Sequence, residues 1–196
     1  MYSQNDEEKV ILDFFGDSFG AFYDIGAWDG KTFSNVRALL ERGWSGIMVE
    51  PSPAAFVELL ANTEEFRDKV TLVNAAVTRE PVLAKFYDAG GDAVGSLSKA
   101  HSDKWEQFRK KPMREFVIHT LSVVQLFSTF GEAEFISLDV EGTNVQLFPQ
   151  LPWHWKRLRA VCVEHDGYEL QMSAMVEPLG FRQIYRSGEN IILVRV

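Results

Sequence analysis

Three carboxylates in this chain stand where apolar runs end. Asp24 interrupts FYDIGAWDG, Glu50 closes GIMVE, and Asp139 closes EFISLD with Glu141 two residues on. Short unalternating apolar runs suit strands buried on both faces, and in open α/β sheets ligands gather beyond the carboxyl ends of such strands. Carboxylates there suit a ligand with positive charge, because they accept charge-assisted hydrogen bonds from an ammonium group. Gly26 and Gly30 turn the chain after the first run and let a ligand approach the backbone.

A dinucleotide turn reads G-x-G-x-x-G, whereas this one reads G-x-x-x-G with Asp24 and Asp29 beside it. Those carboxylates would repel a pyrophosphate. S-adenosylmethionine, with an ammonium and a sulfonium, fits better. Glu50 lies roughly 20 residues beyond the turn, where an acidic residue receives ribose hydroxyls. A nicotinamide-dependent oxidoreductase and a non-catalytic module of the same fold are the competing readings.

A second group follows the run AVCV: Glu164, His165 and Asp166. A sulfonium ligand presents an electrophilic carbon, and any acceptor that loses a proton as it attacks would need alignment and a base. His165 is the preferred base, since an unperturbed imidazole titrates nearest neutral pH, with Asp139 and Glu141 as further candidates. Asp139, Glu141 and Asp166 could also hold a divalent metal such as magnesium, although their spacing is not diagnostic. Cys162 lies within an apolar run and reads as core, so it forms no disulfide and no metal cluster.

The elements that must position these residues alternate between strand and helix. A helix over about 5–15 precedes the strand AFYDI, and a helix over 31–42 precedes GIMVE. Pro51 and Pro53 stop that strand, a helix over 54–62 follows, and VTLVNAAV reads as one third strand. The middle is less regular, with a strand near 82–89, a glycine-rich loop, a basic stretch, the strand REFVIHT and a helix ending at Gly131. Then come EFISLDVEG, AVCVEHDG, a helix over 168–180, and FRQIY and IILVRV joined by RSGEN. So short a connection makes the last two strands antiparallel, within an otherwise parallel α/β sheet.

Five ordered stretches, SQNDE, FYDIGAWDG, ERGWSGIMVEPSP, LDVEG and GENIILVRV, together resemble the FkbM family of S-adenosylmethionine-dependent methyltransferases over nearly the whole chain. The resemblance implies the class I methyltransferase fold, a Rossmann-like three-layer sandwich whose seven-stranded, mostly parallel sheet ends in an antiparallel hairpin strand. It also implies methyl transfer to a hydroxyl, commonly on a sugar or natural product. Carried over by position, it assigns Asp24, Gly26 and Asp29 to the methionine end of the cofactor and Glu50 to its ribose. Asn74 would lie by the adenine, and Asp139 and Glu141 by the transferred methyl. Trp28, the plain LLANTEEF after the second strand, and a basic insert depart from the family pattern.

The 196 residues carry 46% hydrophobic and 24% charged residues, the balance of a folded soluble chain, and are expected to form a single domain, with a lid or insert at 89–114. The net charge of -8 disfavours a general grip on nucleic acid or an anionic membrane. Within the insert, however, Lys99, Lys104, Arg109, Lys110, Lys111 and Arg114 face only Asp103 and Glu106. That reversal suits either a solvated helix face or a lid for an anionic acceptor such as a charged saccharide. Trp105 and Phe108 read as the packing edge of its helix, and Trp153 and Trp155 as anchors of a loop on the core. The start MYSQNDEEKV lacks a leader pattern, and no apolar run approaches the ~20 residues of a membrane span, so a cytoplasmic protein is expected.

Overall fold

The computed structural model describes residues 1–196. In chain order the first elements are α1 (Glu7–Phe15), β1 (Ala21–Ile25), α2 (Arg37–Glu41), β2 (Ser45–Val49), α3 (Pro53–Thr63) and β3 (Val70–Val73). Next come β4 (Ala76–Thr78), β5 (Leu83–Asp88), α4 (Lys99–Arg109), β6 (Arg114–Ser122) and α5 (Val123–Phe130). The last are β7 (Phe135–Leu138), α6 (Asn144–Leu147), β8 (Ala160–Glu164), α7 (Glu169–Val176), β9 (Phe181–Arg186) and β10 (Asn190–Arg195).

Seven strands form the main sheet in the order β3-β2-β1-β7-β8-β10-β9. β10 is antiparallel to both its neighbours, and all the other pairings are parallel, as the short RSGEN connection requires. The central strands are buried on both faces, and their side chains alternate between two cores. Tyr23, Ile25, Ile136, Leu138, Val161, Val163, Ile191 and Leu193 enter one core, where α5, α7, Trp153 and Trp155 cover the sheet. Phe22, Phe135, Cys162, Ile192 and Val194 enter the other, beneath α1 and α2. Every strand of this central group serves two layers. No helix is long and apolar enough to cross a membrane.

Local chemistry sets the boundaries. α5 begins in a capping box in which the Ser122 side chain accepts from Gln125 N and the Gln125 side chain accepts from Ser122 N. α3 begins with Ser52 as cap and Pro53 at its first turn.

Two expected elements are altered. The helix expected over 31–42 is reduced to Arg37–Glu41, because Asp29 captures the amides of Lys31 and Thr32 while Ser34 Oγ accepts from Val36 and Arg37. Such side-chain bonds offer the backbone an alternative to helix. The single strand expected at VTLVNAAV divides at Asn74 into β3 and β4, which belong to different sheets. β4, β6 and β5 form a small second sheet, with β6 parallel to β4 and antiparallel to β5.

Candidate functional site

The carboxyl ends of β1, β2, β7 and β8 open onto one cavity of about 750 Å3, within the size range of small-molecule sites. Asp24, Glu50, Asp139, Glu141, Glu164 and Asp166 all line it. The parallel register places these strand ends together: Asp24 pairs with Met48 of β2 and with Ser137 of β7.

Asp24 is 4% exposed, and burial pushes its carboxyl up to about 8. A hydrogen bond from Ser137 opposes the shift, while the charges of Asp139 and Glu50 add to it. Asn35 Nδ2 in turn donates to Ser137 Oγ at 3.4 Å, so polar contacts run from the α2 approach to the floor of the cavity. Glu50 is also buried, and desolvation lifts it to about 7 even though its oxygens accept from Trp28 N (2.9 Å) and Ser52 N (2.7 Å). Two buried acids at adjacent strand ends thus lack a counter-charge, an arrangement that a cationic ligand would relieve.

Gly26 has φ +93, and a Cβ on it would sit 1.6 Å from the Asp139 carbonyl oxygen. Its role is therefore to let the ends of β1 and β7 close together, in addition to any approach by a ligand. Asp29 lies outside the cavity lining. Its carboxylate accepts from Lys31 N, Thr32 N and Thr32 Oγ1 at 2.7–2.8 Å, which makes it the brace of the turn. Asn74 also lies off the lining and is exposed, and its amide donates to the carbonyls of Glu50 (2.8 Å) and Pro51 (3.3 Å). The amide expected at a base edge instead fastens the loop that carries Glu50.

Asp139, Glu141 and Glu164 present oxygens within 4.8 Å of one another. The expected triad with Asp166 is thus replaced by one containing Glu164. Burial, then the charge of Glu141, raises Asp139 to about 7, and burial, then the charge of Asp139, raises Glu164 further. A hydrogen bond between these two acids requires one shared proton, which moderates the repulsion. Asp139 Oδ1 is buried without a partner.

Asn144 is fully buried and ties the two loops together. Its Oδ1 accepts from Val140 N (2.8 Å), and its Nδ2 donates to Glu164 (2.6 Å) and Asp166 (3.2 Å). It carried no sequence signal, since it opens the short helix α6 after a polar stretch and its acidic partners come from the end of β8.

His165 lines the cavity and is 5% exposed. Gly167 N donates to its Nδ1 at 2.9 Å, which leaves the ring proton on Nε2. In that tautomer the free edge of the ring is a donor rather than a base. Over the strand ends lies α4, whose His101 Nε2 is 2.9 Å from Glu141 Oε2. The preceding loop is held by Ser96 Oγ donating to the Glu141 carbonyl and by Trp28 Nε1 donating to the Gly91 carbonyl at 2.8 Å. Trp28 itself has φ +47 and stacks on Phe33 at 6.0 Å between centroids. The unexpected tryptophan of the glycine turn is thus a joint between that turn and the loop before α4.

The sequence profile of the methyltransferase FkbM domain matches residues 24–182. No match is found among curated proteins. Among solved structures the chain is similar to the METTL16 methyltransferase domain, at 13% identity and a TM-score of 0.52 over 95% of this chain and 63% of that one. It is similar to PH1948 from Pyrococcus horikoshii, named as a candidate RNA methyltransferase, at 12% identity and a TM-score of 0.53 over 97% and 80%. A third is methyltransferase FkbM from Methylobacillus flagellatus KT, at 10% identity and a TM-score of 0.52 over 91% and 44%. The chain thus spans less than two thirds of the first of these and less than half of the third. At such identities the likeness is one of fold, the class I methyltransferase sheet with its single antiparallel strand. With the profile match covering most of its length, the chain belongs to the FkbM family of methyltransferases.

Proposed function

We propose that this protein is an S-adenosylmethionine-dependent O-methyltransferase acting on a hydroxyl of a sugar or another small acceptor. The observation that carries this reading is the pair of buried acids, Asp24 and Glu50, at adjacent strand ends in one cavity. Together with the cavity volume and the partnerless Asp139 Oδ1, they fit the group that the family uses. Asp24 would receive the ammonium end and Glu50 the ribose hydroxyls, with Asp29 and Asn74 stiffening the two loops. When bound, S-adenosylmethionine supplies an electrophilic methyl group on a sulfonium.

Asp139 takes the role of base in place of His165. Burial and the charge of Glu141 raise the proton affinity of its carboxyl, which suits Oδ1 to accept the proton of the acceptor hydroxyl. Asn144 holds the acids around it. The His165 Nε2 proton serves to orient rather than to abstract.

Calorimetric titration with S-adenosylhomocysteine and with NAD, on wild type, Asp24→Ala and Glu50→Gln, tests the cofactor. Saturable binding of the first ligand alone, weakened at least about tenfold by each substitution, is expected. Binding of NAD alone, or no binding by folded protein, would sink the reading. Turnover with a labelled methyl donor and a panel of methyl glycosides should fall about 100-fold or more in Asp139→Asn while S-adenosylhomocysteine binding persists.

A further inference from the structure

The walls of the cavity differ in charge. Its floor carries the six carboxylates at the strand ends, whereas α4 contributes His101, Lys104, Trp105, Phe108 and Arg109 to the roof. Two cations of that helix are already paired, Lys99 with Asp103 and Arg109 with Asp92. Lys104 is the one lysine or arginine of the lining without an ion-pair partner. In a chain of net charge -8, an uncompensated cation at the mouth of an acidic cavity is a specific feature.

The aromatic residues beside it point the same way. Phe108, expected to pack, is 77% exposed, and its ring meets Trp105 edge-on with centroids 5.5 Å apart. The indole Nε1 of Trp105 is buried without a partner. Outside the cavity Lys104, Trp105 and Phe108, with Gln107, border a shallow open depression. The surface therefore extends beyond what the methyl donor alone would fill.

We infer that Lys104, Trp105 and Phe108 form the recognition surface for an anionic saccharide, whose phosphate or carboxylate pairs with Lys104 while its ring lies on the aromatic pair. This rests on the reading of the floor as the site of the cationic methyl donor. Charge sorts the two ligands: the buried acids of the floor gain a counter-charge from the cationic methyl donor, while Lys104 attracts the anion to the roof. The anionic group of the acceptor is thereby held at the roof, across the cavity from Asp24 and Glu50, and its hydroxyl reaches down to Asp139 at the strand ends.

The test uses the full chain saturated with S-adenosylhomocysteine, whose binding is measured first by calorimetry. Ligand-observed NMR then compares glucose 6-phosphate, glucuronate and glucose as probes, on wild type, Lys104→Gln and Lys104→Arg. The two anionic probes are expected to bind and glucose to bind at least about fivefold more weakly. Lys104→Gln should remove that preference and Lys104→Arg restore it. A preference for only one anionic probe would distinguish phosphate from carboxylate as the group recognised. Equal binding of glucose, absence of anionic-probe binding, or a preference unchanged in Lys104→Gln would overturn the inference. So would displacement of glucose 6-phosphate by a uridine oligonucleotide at lower concentration, which would assign the lysine to nucleic acid. If S-adenosylhomocysteine itself fails to bind, the cofactor reading fails instead, so the two failures are distinguishable.

Discussion

Replacing Asp24 with Asn should stabilise the ligand-free protein, and increasingly so as pH rises. In the fold Asp24 keeps its proton to about pH 8 because it is buried among other acids, whereas its ordinary value is 3.8. The unfolded chain therefore releases the proton first. Stability from this group is fully present below pH 3.8 and is lost progressively as pH climbs to about 8. Each pH unit inside that window removes about 1.4 kcal/mol, so wild type should lose about 3 kcal/mol relative to Asp24→Asn between pH 5 and pH 7. Asp139 and Glu50 add charge to the Asp24 shift, so Glu50→Gln is measured alongside to give the Glu50 share of the slope. Urea unfolding at several pH values, with m checked for constancy, measures the quantity. Curves that stay parallel to within about 0.5 kcal/mol across the window would refute the claim that Asp24 is held uncompensated. The same variant should bind S-adenosylhomocysteine poorly, so that stability and ligand binding move in opposite directions.

Gly26→Ala should destabilise the fold by at least about 3 kcal/mol, since the new Cβ would lie 1.6 Å from a backbone oxygen at a left-handed φ. A thermal midpoint within a few degrees of wild type would count against the close approach of β1 and β7. Trp28→Phe removes the indole bond to Gly91, worth about 1 kcal/mol, together with part of the ring that stacks on Phe33. Amide exchange should rise selectively across 89–98 in that variant, while exchange in β1 stays at the wild-type rate.

The parallel sheet was legible because its strands are apolar on both faces, and the acids Asp24, Glu50 and Asp139 were legible as interruptions of those runs. The antiparallel strand followed from a connection too short for a crossover. What escaped was set by side chains acting on backbone. Asp29 and Ser34 shorten a helix whose apolar spacing looked regular, and Asn74 bends a β-branched run into a second sheet. Asn144 escaped because its partners lie about twenty positions away, and the tautomer of His165 depends on one amide, Gly167. The basic stretch from Lys99 to Arg114 was legible as a charge reversal, but which of its cations remain unpaired depends on how α4 lies over the cavity.

Trp28 has an optical consequence. Its indole spans the seam between the β1 turn and the insert, with the Nε1 proton on the Gly91 carbonyl and the ring face on Phe33. Parting that seam would expose the chromophore to water and shift its emission to the red, whereas a closed seam keeps it blue. Replacing Trp105 with Phe removes the other indole lining the cavity and leaves the buried Trp44, Trp153 and Trp155 as background, which the difference spectrum between this variant and its Trp28→Phe double variant subtracts. The protein thus carries a native fluorophore at the joint, one that would register any parting of the turn from the 89–98 loop without an added label.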